Sequence, residues 1–385
     1  MRRLPTPVSA LVLASLLLVA AGSCGGGADT AADPVAPTTT TGPPPSTTTT
    51  TAPPPTDVYA GTRAGMLAAV VRDVAPRVYV PNGHSNTVTV IDPATFQVID
   101  VFPVGALPQH VVPSYDLSTL YVNNNQGNSL TPIDPRTGTP GAPIPVDDPY
   151  NLYFSPDGKY ALVMAEREKR IDVRDPKTWA LITSISIPYA GVNHADFTAD
   201  GTTMIASCEF SGWVVRIDLP TLTVTGQVEV GGEPIDVRIA PDGAVFYVAN
   251  HVKNGGGVSV IDPAGMTEAA FIPTGAGAHG LYPSRDGTQL YVTNRNAGSV
   301  TVLDFATRAP VATWTIAGGG SPDMGGVSSD GTQFWVSGRY NDVVYVFDTT
   351  SGAVVHTIPV GHGPHGLAIF PQPGSISLGH TGNYR

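Results

Sequence analysis

One phrase recurs along this sequence, and its spacing limits the folds that the chain can adopt. The clearest copy spans residues 278–294 and reads as a strand, an Asp-Gly turn and a second strand that ends in Tyr-Val-Thr-Asn. Its turn aspartate has counterparts about 41–44 residues apart, at Asp116, Asp157, Asp200, Asp242, Asp286 and Asp330. A second series keeps the same period, at Asp92, Asp134, Asp175, Asp218, Asp262, Asp304 and Asp348. A repeat of roughly 40–45 residues with four strands per unit is typical of a β-propeller blade.

The second strand of this phrase occurs seven times, and that count sets the number of blades. Its copies begin at Val78, Leu120, Ala161, Met204, Phe246, Leu290 and Phe334. Apolar and polar residues alternate within these runs, as in strands that are buried between neighbouring sheets. The sequence therefore predicts an all-β fold, a seven-bladed β-propeller.

The first repeat is incomplete, and its missing strand indicates how the ring closes. The first strand of the repeated phrase would be the innermost strand of a blade. Nothing before Arg77 resembles this first strand, whereas residues 364–370 carry it at the far end of the chain. We therefore expect the C-terminal strand to complete the first blade and to remove a free sheet edge. The apolar stretch at 66–71 is the competing candidate for that place, but it lacks the repeat phrase.

The Tyr-Val-Thr-Asn phrase at 291–294 and its period resemble the YVTN family of β-propeller repeat proteins, the YncE-like propellers. The resemblance covers roughly residues 77–370 and implies a fold similar to the haem d1 domain of cytochrome cd1 nitrite reductase. Family members include exported bacterial propellers and archaeal surface-layer proteins, and they range from adhesion and binding modules to redox and lactonase enzymes. The fold therefore does not fix a function.

The N-terminal segment predicts export. Arg2 and Arg3 precede an apolar run at 11–21, a layout typical of a secretory signal over residues 1–23. Cys24 follows in Ala-Gly-Ser-Cys, which resembles the lipobox of bacterial lipoproteins and implies that Cys24 is lipidated. Ala21 departs from the leucine that is usual three positions before the cysteine. An ordinary cleaved signal with an incidental cysteine is the alternative.

A tract of low complexity follows the signal. Residues 24–57 contain runs of threonine and proline and show no hydrophobic periodicity, so they cannot form a core. We predict a solvated stalk at 24–57, a lead-in segment at 58–76, the propeller at 77–370 and a C-terminal tail at 371–385. The expected location is the cell envelope, either on the outer face of the cytoplasmic membrane through the lipid anchor or in the periplasm.

Composition limits the partners. The formal net charge of −11 argues against nucleic acid, which requires a basic face. Cys208 lies in a second-strand run and is predicted to be buried and inert. We expect a monomer that meets a membrane through its anchor and binds an envelope protein or a glycan. The charged run at 166–170 is interpreted as a solvated turn.

Each blade places a polar side chain where its innermost strand begins, beside the channel. These candidate ligand-binding residues are His110, Asn151, His194, Asp236, His279, Asp323 and His365. Four of the nine histidines in the chain fall in this one register. Imidazoles that converge in a channel suit copper, iron or zinc, so the candidate metal ligands are His110, His194, His279 and His365.

A channel that simply holds water is the alternative explanation, because histidine there can hydrogen-bond to backbone groups or to water. His110 and His194 also stand one position later in the phrase than His279 and His365, so the four need not share one centre.

The Gly-rich match at 275–280 opens a strand rather than a helix, which rules out a dinucleotide site. No CxxCH sequence is present for a covalently held c-type haem.

Three functions remain after these exclusions. The favoured one is a membrane-anchored extracytoplasmic module that binds a protein, a glycan or a small ligand and is not an enzyme. The anchor, the stalk and the lack of catalytic motifs point to it. The first alternative is a redox enzyme that uses a metal or cofactor held by the channel histidines. The second is a lactonase-like hydrolase, which only the fold favours.

Overall fold

The computed structural model describes residues 57–385, and these form seven four-stranded antiparallel sheets arranged as blades around a channel. The predicted signal peptide, the lipidated Cys24 and all but the last residue of the predicted stalk lie outside the described residues. Across residues 57–385, no helix has the length and apolarity needed to cross a membrane.

Strand bounds follow one plan in every blade. The innermost strands are β4 (Pro108–Pro113), β8 (Pro149–Phe154), β12 (Val192–Phe197), β16 (Pro234–Ile239), β20 (Ala278–Pro283), β24 (Pro322–Val327) and β28 (Ala368–Phe370). The second strands are β1 (Arg77–Asn82), β5 (Leu120–Asn124), β9 (Ala161–Ala165), β13 (Thr203–Cys208), β17 (Phe246–Asn250), β21 (Gln289–Asn294) and β25 (Gln333–Gly338).

The two outer positions complete each sheet. The third strands are β2 (Thr87–Asp92), β6 (Ser129–Ile133), β10 (Arg170–Arg174), β14 (Trp213–Asp218), β18 (Gly257–Asp262), β22 (Ser299–Asp304) and β26 (Val343–Asp348). The outermost strands are β3 (Gln97–Pro103), β7 (Ile144–Pro145), β11 (Leu181–Ser186), β15 (Thr223–Glu229), β19 (Thr267–Pro273), β23 (Ala309–Thr315) and β27 (Val354–Pro359). Short 3₁₀ turns lie at Ala60–Thr62, Ala69–Val71, Glu209–Ser211 and Lys253–Gly255.

The ring closes as the repeat count predicts. Strand β28 pairs antiparallel with β1, with Arg77 opposite Phe370 and Tyr79 opposite Ala368, and so completes the first blade. The competing apolar stretch forms no blade strand, and Leu67 instead bridges to Gly374 in the tail. The seven-bladed propeller with a closing C-terminal strand is therefore confirmed.

Buried apolar side chains between adjacent blades make up the core. The first three strands of a blade are buried on both faces, whereas the outermost strand exposes part of its surface. Cys208 lies in this core, and burial raises the pKa of its thiol to about 12. Its predicted inertness follows, because only the thiolate is reactive.

The turns between the innermost and second strands use the Asp-Gly pairs. Gly158 and Gly201 both have φ of +70°, which an L side chain adopts only with strain. The aspartate before each glycine fixes the turn, since Asp157 Oδ1 accepts from Ser155 Oγ at 2.7 Å and from the Lys159 N–H at 3.1 Å. These hairpins set where each innermost strand ends.

Every innermost strand from β4 to β24 carries a one-residue bulge near its start. In β4, Pro108 pairs with Asn124 and Val111 with Val122, so two residues oppose one. Bulges of this kind re-aim side chains and interrupt pairing. The bulge is therefore the local reason that the polar residues of the repeat are presented to the channel.

The C-terminal tail runs inside the channel along the innermost strands. The His380 N–H donates to the Leu152 carbonyl at 2.9 Å, and Asn383 Nδ2 donates to the Ala195 carbonyl at 3.0 Å. Gly379 approaches β8 so closely that a Cβ would collide with the Leu152 carbonyl oxygen, so no other residue fits. The tail therefore fills the part of the channel where the innermost strands end.

Candidate metal centre in the channel

All seven residues that the sequence places beside the channel are buried. The structure divides them as the one-position offset suggests, because His110 and His194 form one group and His279, Asp323 and His365 form another. A further histidine, His380 from the tail, joins the first group. Within each group of three, the candidate donor atoms all lie within 4.8 Å of one another.

Hydrogen bonds fix the orientation of His110 and His194. His110 Nδ1 donates to the Tyr150 carbonyl at 3.0 Å, so its Nε2 is unprotonated and has a free lone pair. His194 Nδ1 donates to Asn193 Oδ1 at 3.0 Å, and the same amide donates from Nδ2 to Glu209 Oε2 at 2.5 Å. Both Nε2 atoms are buried and have no hydrogen-bond partner within residues 57–385. Metal-ligating histidines are held in this way through their second nitrogen.

Asn151 and Asp236 contact the tail histidine, His380, and Asp236 also contacts the neighbouring strand β20. Asn151 Nδ2 donates to His380 Nδ1 at 3.1 Å, while Asp236 Oδ1 lies 3.6 Å from His380 Nε2. Asp236 also accepts the backbone N–H of Leu281 at 2.8 Å. These two predicted site residues therefore position His380 and the neighbouring strand.

The second group is centred on Asp323. Its Oδ1 lies 2.9 Å from His279 Nε2, in a contact not aligned as a hydrogen bond, and accepts from Arg295 at 3.1 Å. His365 Nδ1 donates to the Gln109 carbonyl at 3.0 Å, so its Nε2 carries no proton. That Nε2 faces Asp323 Oδ2 at 3.5 Å, and this oxygen has no partner among the described residues. Two acceptors thus face each other in a buried site.

The two groups form one continuous cluster. The ring centroids of His110 and His365 are 4.8 Å apart, those of His194 and His380 are 5.0 Å apart, and those of His279 and His365 are 6.0 Å apart. Tyr150 covers it, with its ring centroid 5.3 Å from that of His110 and 5.7 Å from that of His194. Five imidazoles therefore share a buried space with the carboxylates of Asp323 and Asp236.

Burial sets the protonation of this cluster. It lowers the pKa of His279 to about 4 and holds the pKa of the other four imidazoles well below the ordinary value, at His110, His194, His365 and His380. Burial alone would raise the pKa of Asp323, but His279, Arg295 and His365 outweigh it and keep that pKa well below its usual range. At neutral pH the site presents neutral imidazoles and a carboxylate, the forms that bind metals.

The YNCE-like β-propeller family matches residues 56–372 of this sequence. The chain belongs to this family. The YNCE-like match covers the whole ring, in agreement with the resemblance carried by the Tyr-Val-Thr-Asn phrase. Comparison with curated proteins gives no match.

Solved structures similar to this YNCE-like propeller share its fold. Kuenenia stuttgartiensis hydrazine synthase is 23% identical with a TM-score of 0.62, over 70% of this chain and 92% of that one. Dihydro-heme d1 dehydrogenase NirN in complex with DHE is 17% identical with a TM-score of 0.60, over 82% and 83%. A functionally unknown protein from Desulfotomaculum acetoxidans is 18% identical with a TM-score of 0.65, over 76% and 98%. At these identities the likeness concerns the fold alone.

Two residues of the YNCE-like propeller fall outside what the repeats predict. His380 lies in the tail, which has no counterpart in the other repeats, so only its residue type could have drawn attention to it. Glu166 belongs to the run interpreted as a solvated turn, and that interpretation was wrong for this residue, because Glu166 is only 8% exposed. His362, three residues before His365, lies at the surface and contacts Asp342 Oδ2 at 2.7 Å.

Proposed function

We propose that this YNCE-like propeller is a binding module whose ligand is a transition-metal ion held by the channel histidines. The carrying observation is the His365–Asp323 contact, in which an unprotonated Nε2 and a carboxylate oxygen face each other at 3.5 Å. Two buried acceptors repel unless a cation lies between them. A proton is disfavoured there, since burial holds the pKa of His365 well below its ordinary value.

The first group supports the same proposal by a different route. His110 and His194 each present a buried Nε2 lone pair with no donor in the described part of the chain. A buried acceptor without a partner costs free energy, typically about 1–3 kcal/mol, and a bound ion removes that cost. His380 would then supply a third imidazole in exchange for the hydrogen bond that its Nδ1 accepts from Asn151.

The donor sets point to borderline and first-row metals. Three imidazoles suit zinc or copper, and two imidazoles with one carboxylate are the set found in non-haem iron(II) sites. The candidate ions are therefore copper, iron and zinc. Calcium and magnesium are disfavoured, because they prefer oxygen ligands.

Metal analysis of the full chain, purified without chelators, tests this proposal. We expect bound metal in the parent protein and a lower metal content in the double variant His110→Ala, His194→Ala, which keeps only the His279–Asp323–His365 group. His362→Ala is the matched control, because this surface histidine lies outside the cluster. Circular dichroism would confirm that each variant folds. A parent that is metal-free and takes up no copper, iron or zinc on dialysis would refute the proposal.

The same proposal includes an envelope location with a lipid on Cys24. It rests on the apolar run at 11–21 and the Ala-Gly-Ser-Cys sequence. Cys24→Ser should prevent incorporation of labelled palmitate and release the protein from the membrane fraction. Unchanged labelling would show that the acylated residue is not Cys24.

A further inference from the structure

A ring of side chains surrounds the mouth of the channel, at the face where the innermost strands begin. Its members are the residues that directly follow the seven second strands. They are Gly83, Asn125, Glu166, Glu209, His251, Arg295 and Arg339. The same loop position therefore varies widely between blades, in contrast to the repeated residues of the strands.

Acidic and basic side chains occupy opposite arcs of this mouth ring. Glu166 and Glu209 come from adjacent blades, and Arg295 and Arg339 come from another adjacent pair. Asn125 with Gly83 separates the arcs on one side and His251 on the other. Within residues 57–385, neither carboxylate of the acidic arc, nor Arg339, forms an ion pair closer than 4.0 Å. The acidic and the basic side chains of the ring therefore form no ion pair with each other in this part of the chain.

The acidic arc has unused capacity for a donor. Glu166 is nine-tenths buried, and its Oε2 has no partner among the described residues. Among residues 57–385, Glu209 Oε2 accepts a hydrogen bond from Asn193 Nδ2 alone. Burial, aided by mutual repulsion, raises the pKa of Glu166 to about 8, and burial raises the pKa of Glu209 to about 7. A cation placed between these carboxyl groups would relieve both effects.

The basic arc has unused capacity for an acceptor. Arg295 is held by Asp323 and by His251, yet its buried Nε has no partner in the described residues. Arg339 donates from one terminal nitrogen to the Gly363 carbonyl at 3.2 Å. Guanidinium groups have five N–H donors and match the two oxygens of a carboxylate. The exposed ring of Tyr340 adds an aromatic surface beside Arg295.

We propose that the mouth ring binds a free α-amino acid, with its ammonium group at Glu166 and Glu209 and its carboxylate at Arg295 and Arg339. A simple anion or cation would satisfy one arc and be repelled by the other, whereas a zwitterion satisfies both. This site goes beyond the metal proposal, since its residues are not the channel ligands.

Calorimetric titration of the full chain with the common L-α-amino acids tests the site. We expect at least one to bind, and its methyl ester and its N-acetyl derivative each to bind about ten- to hundredfold more weakly, the loss for one charge-assisted pair. Arg339→Gln and Glu209→Gln should produce the same loss. Arg72→Gln and Glu229→Gln are the matched controls, because both residues are exposed and neither belongs to the mouth ring.

Two results of the titration of the parent protein would overturn the inference. One is that no amino acid binds to a folded parent protein. The other is that the ester and the N-acetyl derivative bind as tightly as the amino acid. The titrations are repeated on chelator-treated and metal-loaded protein, because amino acids also coordinate metals directly. Binding that requires the metal and ignores Arg339→Gln would refute the mouth site, while a metal-free protein that binds amino acids would refute only the metal proposal.

Discussion

The two sides of the channel draw on neighbouring positions of the repeat, one residue apart, and they differ in charge and in origin. One side combines His110, His194 and His380 beneath the acidic arc of the mouth ring, and it depends on the tail for its third imidazole. The other combines His279, Asp323 and His365 beneath the basic arc, and the repeats alone supply it.

This difference shows how a symmetric ring acquires an asymmetric site. The bulge presents side chains to the channel in every blade, but which residue occupies the bulge and the mouth varies from blade to blade. Arg295 touches Asp323 on one side, whereas on the other Asn193 links Glu209 to His194. On each side of the channel, a different set of contacts therefore connects the mouth ring to the histidine cluster.

The largest expected effect comes from removing the tail, because only one side needs it. A chain that ends at Phe370 loses the buried Leu378 and Tyr384 together with His380. We expect the free energy of unfolding to fall by about 5 kcal/mol or more, from lost apolar burial and exposed channel groups. Urea denaturation measures the loss.

A milder variant separates stability from ligation on that side. His380→Ala keeps the tail, so it should lower metal content with a smaller loss of stability. The contrast between the two sides would fail if the truncated chain folded and kept the full metal content of the parent.

Asp323→Asn tests the other side and should have the next largest effect. It removes the only carboxylate of that metal group and leaves the charge of Arg295 without its ion pair. Breaking a buried pair costs about 3 kcal/mol or more, and the metal bound at His279 and His365 should be lost. Metal analysis and urea denaturation on the same samples measure both effects.

Asp342→Asn is the matched control for this change. Asp342 contacts the exposed His362 at the surface, where such a pair contributes at most about 1 kcal/mol. If both variants cost the same free energy and neither loses metal, the Asp323 side is not a metal site.

The repeats made the fold and most of the channel wall predictable from the sequence. The bulge residues recur at one period, so His110, His194, His279 and His365 can be aligned on the turn aspartates from the sequence alone. His380 could not be found in this way, because the tail meets β8 through contacts between residues more than two hundred positions apart. Such contacts have no periodic signal.

The mouth ring escaped prediction for a different reason. The run at 166–170 is charged like any solvated turn, and most of it is solvated. Only its first residue, Glu166, is buried, because the position directly after a second strand lies at the channel mouth. The composition of a loop predicts the average exposure of its residues, whereas the burial of Glu166 depends on its single position within the loop.

The smallest effect concerns the acidic arc and depends on pH. Burial, and then the nearby Glu209, raise the pKa of Glu166 from an ordinary 4.5 to about 8. The folded protein therefore holds a proton that the unfolded chain has lost, and this group destabilises the fold increasingly as the pH rises from about 5 to about 8. Glu166→Gln removes this titration.

The glutamine variant should match the parent in stability near pH 5 and exceed it by an amount on the order of 2 kcal/mol near pH 8.5. Urea denaturation at both pH values measures the difference, and the exposed Glu229→Gln should show none. A constant difference at both pH values would mean that Glu166 is ionised in the fold. The acidic arc would then carry its full charge above the neutral histidine group. The difference in charge between the two arcs of the mouth ring would be larger than the raised pKa implies.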